Sequence, residues 1–254
     1  MPKSKEETKE EVKSFDFKET MLAVKDDLIK SIKEPVTLIE KNVKKNDMNK
    51  TYTIGVLYII SFAILFVGLF KVAFEGIMGL AALMQGGLGS ALGSSLLKSI
   101  KIPYIRIFIY GLGISLVMLL AYAVVMLIVP AIFKNKKLDF KKSLTFTTSA
   151  YIPMIVVNLV CGIFGMLGLS FKFLFIVYLI ANTIVSYNFA YAYGKETNVE
   201  DNKFGYVIAL LVILSGFISG LNIYLTSETF TKSIVTDISK NTDLNDLDDL
   251  DDWD

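Results

Sequence analysis

The stretch KNKKLDFKKSLTFTTSAYIP, residues 134–153, decides the fold of this chain. Its first part, residues 134–142, is a turn between two long apolar runs and carries five lysines. Short loops rich in Lys and Arg lie on the cytoplasmic side of membrane proteins, so this turn predicts the orientation of the runs around it. Pro153 follows inside the second run, where it predicts a helix kink and a freed carbonyl for the nearby Thr and Ser hydroxyls.

The composition places the chain in the membrane class and gives no sign of catalysis. Hydrophobic residues make up 53% of the 254 residues, and the mean hydropathy is +0.53. The chain has no histidine, and its one cysteine, Cys161, lies in an apolar run where a small buried residue is expected. No nucleophile–base pair, carboxylate pair or metal-ligand spacing occurs, so we expect no enzyme, cofactor or metal. No basic patch suggests nucleic acid as a partner.

Five apolar runs predict an all-α polytopic membrane helical bundle over residues 51–226. Each run is long enough to cross a hydrocarbon core of about 30 Å. Tyr52 and Tyr58 suit the interface where the first run begins. The predicted spans are Tyr52–Phe70, Pro103–Phe133, Leu144–Leu169, Phe173–Tyr193 and Phe204–Leu225.

Glycines shape three further expectations. Residues 76–97 are uncharged but rich in Gly and Ser, which favours a re-entrant or surface segment over a sixth span. A glycine at every third residue, Gly162, Gly165 and Gly168, predicts a smooth helix face that another helix approaches closely. Gly216 and Gly220 match the GxxxG pattern of helix contacts.

The N-terminal region, residues 1–50, is predicted to be cytoplasmic. Residues 1–14 are charged and are expected to be disordered. An apolar stripe then recurs at helical spacing, and Glu34-Pro35 should end this helix and start another over residues 35–46. The pair could lie in the membrane interface, pack on the cytoplasmic ends of the spans, or form a protein-binding arm. The stripe consists of Phe17, Met21, Val24, Leu28 and Ile32.

The distribution of lysines among the loops predicts a multi-pass cell-membrane protein whose N-terminus is cytoplasmic. Residues 1–50, 134–142 and 195–203 carry most lysines and are assigned to the cytoplasm. The acidic tail, residues 227–254, is then extracytoplasmic and is expected to be disordered. Its regular spacing of Leu244, Leu247, Leu250 and Trp253 leaves open a docking motif for an extracytoplasmic partner.

The span interiors hold polar rather than ionisable residues. The candidate positions are Asn158, Asn182, Ser186, Tyr187 and Asn188. Hydrogen bonding between helices is the structural explanation for them. The alternative is a polar ligand or lipid-headgroup site lined by Asn182, Ser186 and Tyr187.

Two short motifs resemble the Yip1 family of integral membrane proteins. Phe140-Lys141-Lys142, followed by Tyr151-Ile152-Pro153, is similar to a cytoplasmic turn and third-span proline of bacterial members, and Lys33-Glu34-Pro35 is similar to their lead-in. The resemblance covers about residues 30–226 and implies a polar cytoplasmic N-terminal region followed by five spans. The Asp-Leu-Tyr-Gly-Pro signature of eukaryotic members is missing, and Lys, Asn and Ile usage also favours a bacterial source.

Two functions follow as hypotheses. The first is a non-enzymatic membrane scaffold or adaptor of Yip1-like topology, which binds the lipid bilayer and a protein partner or a second copy of itself. The alternative is a transporter, or a membrane subunit of a transport complex, for a small solute or lipid. The kinked third span and the polar half of the fourth support this alternative.

Overall fold

The computed structural model describes residues 17–84, 102–133, 138–200 and 202–214, with five single residues beyond them. No strand occurs within these ranges. Most of residues 76–97 and nearly all of the acidic tail lie outside them, as do Gly216 and Gly220. The helices are α1 (Phe17–Lys33), α2 (Pro35–Lys45), α3 (Met48–Met84), α4 (Tyr104–Phe133), α5 (Phe140–Ala150), α6 (Ile152–Met166), α7 (Phe171–Glu196) and α8 (Asn202–Leu214).

Three helices are long and apolar enough to cross a membrane. They are Met48–Gly76 within α3, Tyr104–Pro130 within α4, and α7. The bent pair α5–α6 supplies a fourth if it is counted as one span. α8 covers the described first part of the predicted fifth span, and most of the rest lies outside the described residues, so that span stays a prediction. The first nine residues of the segment 76–97 continue α3 as helix.

The third predicted span is not one kinked helix but two separate ones. α5 and α6 meet at Tyr151 at an angle of 46°. Pro153 occupies the first turn of α6 rather than the interior of a continuous helix. Its ring cannot donate a backbone hydrogen bond and would clash with the carbonyl one turn earlier, so α5 ends at Ala150. Thr147 and Thr148 donate to the carbonyls of Ser143 and Leu144, within α5 itself.

The N-terminal helices pack on the bundle. α2 begins at Pro35, as predicted, and buries Leu38, Ile39 and Val43. It contacts α5 and α7, while α1 contacts α3 and α6. An ion pair of 2.7 Å between Glu40 Oε1 and Lys195 Nζ links α2 to the last turn of α7. The start of α3, the start of α5 and the end of α7 therefore gather at one end, which we call the α2 end.

Glycines set the crossing of α3 and α6. A Cβ placed on Gly68 would lie 2.2 Å from the carbonyl oxygen of Gly162. Cβ atoms on Gly162 and Gly165 would meet backbone atoms of α3 at 2.7 Å. The predicted smooth face is thus confirmed for these two glycines. Gly168 differs: it has a φ of +84° and ends the helix, with open space beside it.

Asp139 caps α5, and this cap yields a first prediction. Its Oδ1 accepts a hydrogen bond of 2.7 Å from the backbone N–H of Lys142. We expect Asp139→Ala to lower the free energy of unfolding by about 1 kcal/mol. Asp139→Asn keeps an acceptor and should cost much less. Chemical denaturation in detergent measures both, and equal losses would show that the cap is not the cause.

Candidate functional site

A buried polar junction ties the N-terminal helices to the first membrane helix. Asp27 of α1 is 5% exposed and forms a salt bridge with Lys50 of α3. Asn42 of α2 donates from Nδ2 to Asp27 Oδ2 at 2.9 Å and accepts from Lys50 Nζ at 3.1 Å. Each of three helices thus contributes one side chain to what we call the Asp27 junction. A buried charge is stable only when paired in this way, so the junction fixes α1 and α2 in place.

The opposite side of α1 presents apolar residues to the surroundings. Leu22, Ile29 and Ile32 are 55%, 52% and 74% exposed. Exposed lysines flank them at positions 18, 25 and 33. We call this surface the α1 outer face. The predicted stripe was therefore only partly right: Val24 faces the bundle, but Ile32 faces outward.

Four tyrosines converge at the break between α5 and α6. Tyr151 at the break lies with its ring centroid 5.4 Å from that of Tyr58 on α3 and 5.5 Å from that of Tyr122 on α4. Tyr122 on α4 and Tyr178 on α7 are partly buried against the same apolar core that contains Tyr58 and Tyr151. This tyrosine cluster places phenol hydroxyls inside an otherwise apolar bundle, where each needs a polar partner.

Sequence reasoning missed the tyrosine cluster. Tyr58 was predicted to lie at the membrane interface but is buried in the cluster. A usable signal existed: Tyr58, Tyr122 and Tyr178 each lie well inside an apolar run, whereas interface tyrosines lie at the ends. Tyr52, at the start of its run, is exposed and stays consistent with the interface.

Asn158 lies buried on α6, two turns beyond the break. Its Nδ2 donates to Ser61 Oγ at 3.4 Å, which links α6 to α3. Its Oδ1 is buried and accepts no hydrogen bond from the residues that the structure describes. Ser61 itself donates to the carbonyl of Tyr58 at 2.8 Å. Asn158 thus serves as a contact between helices but leaves one acceptor unused.

The polar positions predicted on α7 lie apart from Asn158. Asn182, Ser186 and Asn188 are partly buried, whereas Tyr187 is 64% exposed. Tyr187 stacks on Tyr191 with ring centroids 6.4 Å apart. Asn182 and Ser186 share one face because they are four residues apart, and Tyr187 turns about 100° away from Ser186. The three side chains proposed to line one site therefore do not face a common space.

The unpaired Oδ1 atom of Asn158 leads to a prediction about the stability of a leucine variant. Leucine at this position would remove a buried polar atom that lacks a partner, so we expect Asn158→Leu to leave the free energy of unfolding unchanged or slightly higher. Asn42→Leu is the matched control, because it makes the same change where the amide nitrogen and oxygen both have partners. That variant should lose about 1–3 kcal/mol, because it leaves hydrogen-bonding groups of Asp27 and Lys50 without their amide partner. Equal losses, measured by thermal unfolding in detergent, would contradict this reading of Asn158.

Comparisons with known proteins assign the chain to no family, so its class of protein rests on the structure. No protein-family model, curated protein or solved structure matches the chain. The described residues define an all-helical membrane protein, with three or four helices long and apolar enough to span a bilayer.

Proposed function

We propose that this protein is a non-enzymatic membrane scaffold or adaptor of Yip1-like topology in a bacterial cell membrane. The observation that carries this proposal is the α1 outer face. An apolar face on a helix that is fixed to the bundle, rather than tethered loosely, is suited to docking a partner. Leu22, Ile29 and Ile32 supply the apolar contact, and the flanking lysines supply charge.

The gathered ends of the helices support the proposed orientation. α2, the start of α5 and the end of α7 lie together at the α2 end. Residues 1–50, 134–142 and 195–203 are the three lysine-bearing segments assigned to the cytoplasm, and the same end brings their described parts together. This arrangement favours an N-terminus inside and an acidic C-terminus outside, with five spans.

Both prolines of the motifs behind the proposed family relationship lie at the start of a helix. Pro35 begins α2, and Pro153 lies in the first turn of α6. Each motif therefore coincides with a helix boundary that shapes the bundle.

Photo-crosslinking in native membranes tests the adaptor role. A benzophenone amino acid at Ile29 should give a discrete protein adduct, because Ile29 lies in the α1 outer face. The matched control places the same group at Thr37, which is exposed on α2 away from this face. Lipid adducts alone at Ile29, or the same protein adducts at both positions, would count against a protein-docking role.

A second candidate function, transport of a small solute or lipid, is favoured by the broken span. The break at Tyr151, the tyrosine cluster and the unused acceptor of Asn158 place polar groups inside the bundle. Broken helices and buried polar groups line the substrate sites of many transporters.

Reconstituted liposomes discriminate this second candidate. We expect flux of a transported solute or lipid to fall at least tenfold in Asn158→Leu, while Asn182→Leu serves as a control on the more exposed α7. Absence of flux for ions, amino acids, sugars and lipids, or equal flux in both variants, would remove the transport proposal.

A further inference from the structure

A polar cavity of about 190 Å³ lies at the α2 end, beside the Asp27 junction. The N-terminal helices form one side of it, and α3 and α5 form the other. It is smaller than the pockets of about 300–1,000 Å³ that hold drug-sized ligands, so it suits a small molecule or a headgroup. Its walls are formed by Glu19, Ala23, Asn42, Lys45, Asp47, Lys50, Thr51, Ile54, Thr145 and Ser149.

One hydroxyl in the cavity wall has no partner in the described protein. Ser149 is 2% exposed, and its Oγ makes no hydrogen bond to any residue that the structure describes. By contrast, the hydroxyls of Thr51 and Thr145 lie 2.9 Å apart and bond each other. A buried hydroxyl that is left unsatisfied costs about 1–3 kcal/mol, so an occupant that bonds Ser149 would be favoured.

The charges around the cavity are balanced. Two lysines, Lys45 and Lys50, and two carboxylates, Glu19 and Asp47, line this small space. Lys50 Nζ has three donors, and contacts with Asp27 and Asn42 use two of them. A purely anionic ligand would meet the two carboxylates, and a purely cationic ligand would meet the two ammonium groups. A molecule that carries both charges suits the walls best.

We propose that this cavity binds a small zwitterion that carries a primary ammonium and a phosphate. The lysines and Ser149 would contact the phosphate, and the carboxylates would accept hydrogen bonds from the ammonium. Two sources share this chemistry, an ethanolamine phospholipid headgroup and a free phosphoethanolamine ester. The inference concerns the cavity alone and does not depend on the adaptor or transport proposals.

Binding to the full-length protein in detergent tests the inference. We expect glycerophosphoethanolamine to raise the melting temperature, by mass action. Glycerophosphocholine lacks ammonium N–H donors and glycerophosphoglycerol lacks the cation, so neither should do so. Stabilisation by ethanolamine lipid in nanodiscs, but not by the soluble ester, would assign the ligand to the membrane. The proposal would be overturned if all three headgroups had equal effects, or none had an effect, both as soluble esters and as lipids in nanodiscs. The cavity would then be a site for water only.

Two serines of α5 make a matched pair of variants. Ser149 and Ser143 are both buried, and neither hydroxyl has a partner among the described residues, but only Ser149 lines the cavity. Ser149→Ala should weaken binding of glycerophosphoethanolamine, or of ethanolamine lipid, about tenfold, the effect of one hydrogen bond to a charged group. Ser143→Ala should leave binding unchanged. Equal weakening in the two variants would show a general effect on α5 and would contradict the proposed contact.

Discussion

Gly162→Ala should destabilise the bundle by about 1–3 kcal/mol, although it adds one methyl group. The new Cβ would lie 2.7 Å from backbone atoms of Ile64 and Leu65 on α3. Backbone atoms cannot rotate away as a flexible side chain can, so α3 and α6 must move apart. Gly68 on α3 and Gly165 on α6 lie in the same helix crossing. If the two helices move apart, the close contacts of these glycines are lost as well. Titration with a denaturing detergent, followed by circular dichroism, measures the loss.

Gly113→Ala provides the control for this prediction. Gly113 lies within α4, and no atom of another helix and no non-adjacent side chain lies within 4 Å of the position its Cβ would occupy. Alanine is the better helix former by about 1 kcal/mol, so this variant should be neutral or slightly more stable. If Gly162→Ala is tolerated as well as Gly113→Ala, the close crossing of α3 and α6 is wrong.

Asp27→Ala is expected to have a larger effect, about 3–5 kcal/mol. The change leaves the partly buried Lys50 ammonium without its carboxylate and removes the acceptor for Asn42. The N-terminal helices should then detach from the bundle. The detached α1 and α2 can unfold locally, which opens their backbone to protease, so limited trypsin digestion should cleave at their lysines much faster than in the wild type.

Two comparisons make this second prediction specific to the Asp27 junction. Asp26→Ala changes the exposed neighbouring carboxylate and should shift stability by less than about 0.5 kcal/mol. Asp27→Leu combined with Lys50→Leu removes both charges and should recover part of the loss, because no unpaired charge remains. Equal digestion of the Asp26 and Asp27 variants would show that the junction does not hold the helices.

The positions of most helices could be predicted from apolar run length and prolines. α4 and α7 closely follow the predicted runs, and Pro35 marks the start of α2. The close approach at Gly162 could be predicted because glycine lacks a Cβ and leaves a groove on the helix. These features depend on residues that are close together in the sequence, so they could be predicted from the sequence alone.

Features that depend on tertiary packing could not be predicted in the same way. Apolar residues lie on both faces of α1, so periodicity alone did not show that Asp27 turns inward and Ile32 outward. Tyr58 joins the tyrosine cluster because residues of α4, residues of α7 and Tyr151 at the break pack in the same core. A proline inside a run predicts a bend, but the neighbouring helices determine whether the helix curves or divides in two.

Native mass spectrometry of the tagged protein, released from its own membrane in mild detergent, most directly tests the adaptor proposal. We expect complexes heavier than the 28.3 kDa chain by the mass of a second copy or of a defined partner protein. Replacing Ile29 and Ile32 of the α1 outer face by Ser should abolish these complexes without unfolding the bundle. A wild-type protein that is found only as a 28.3 kDa monomer with lipid would contradict the scaffold or adaptor function.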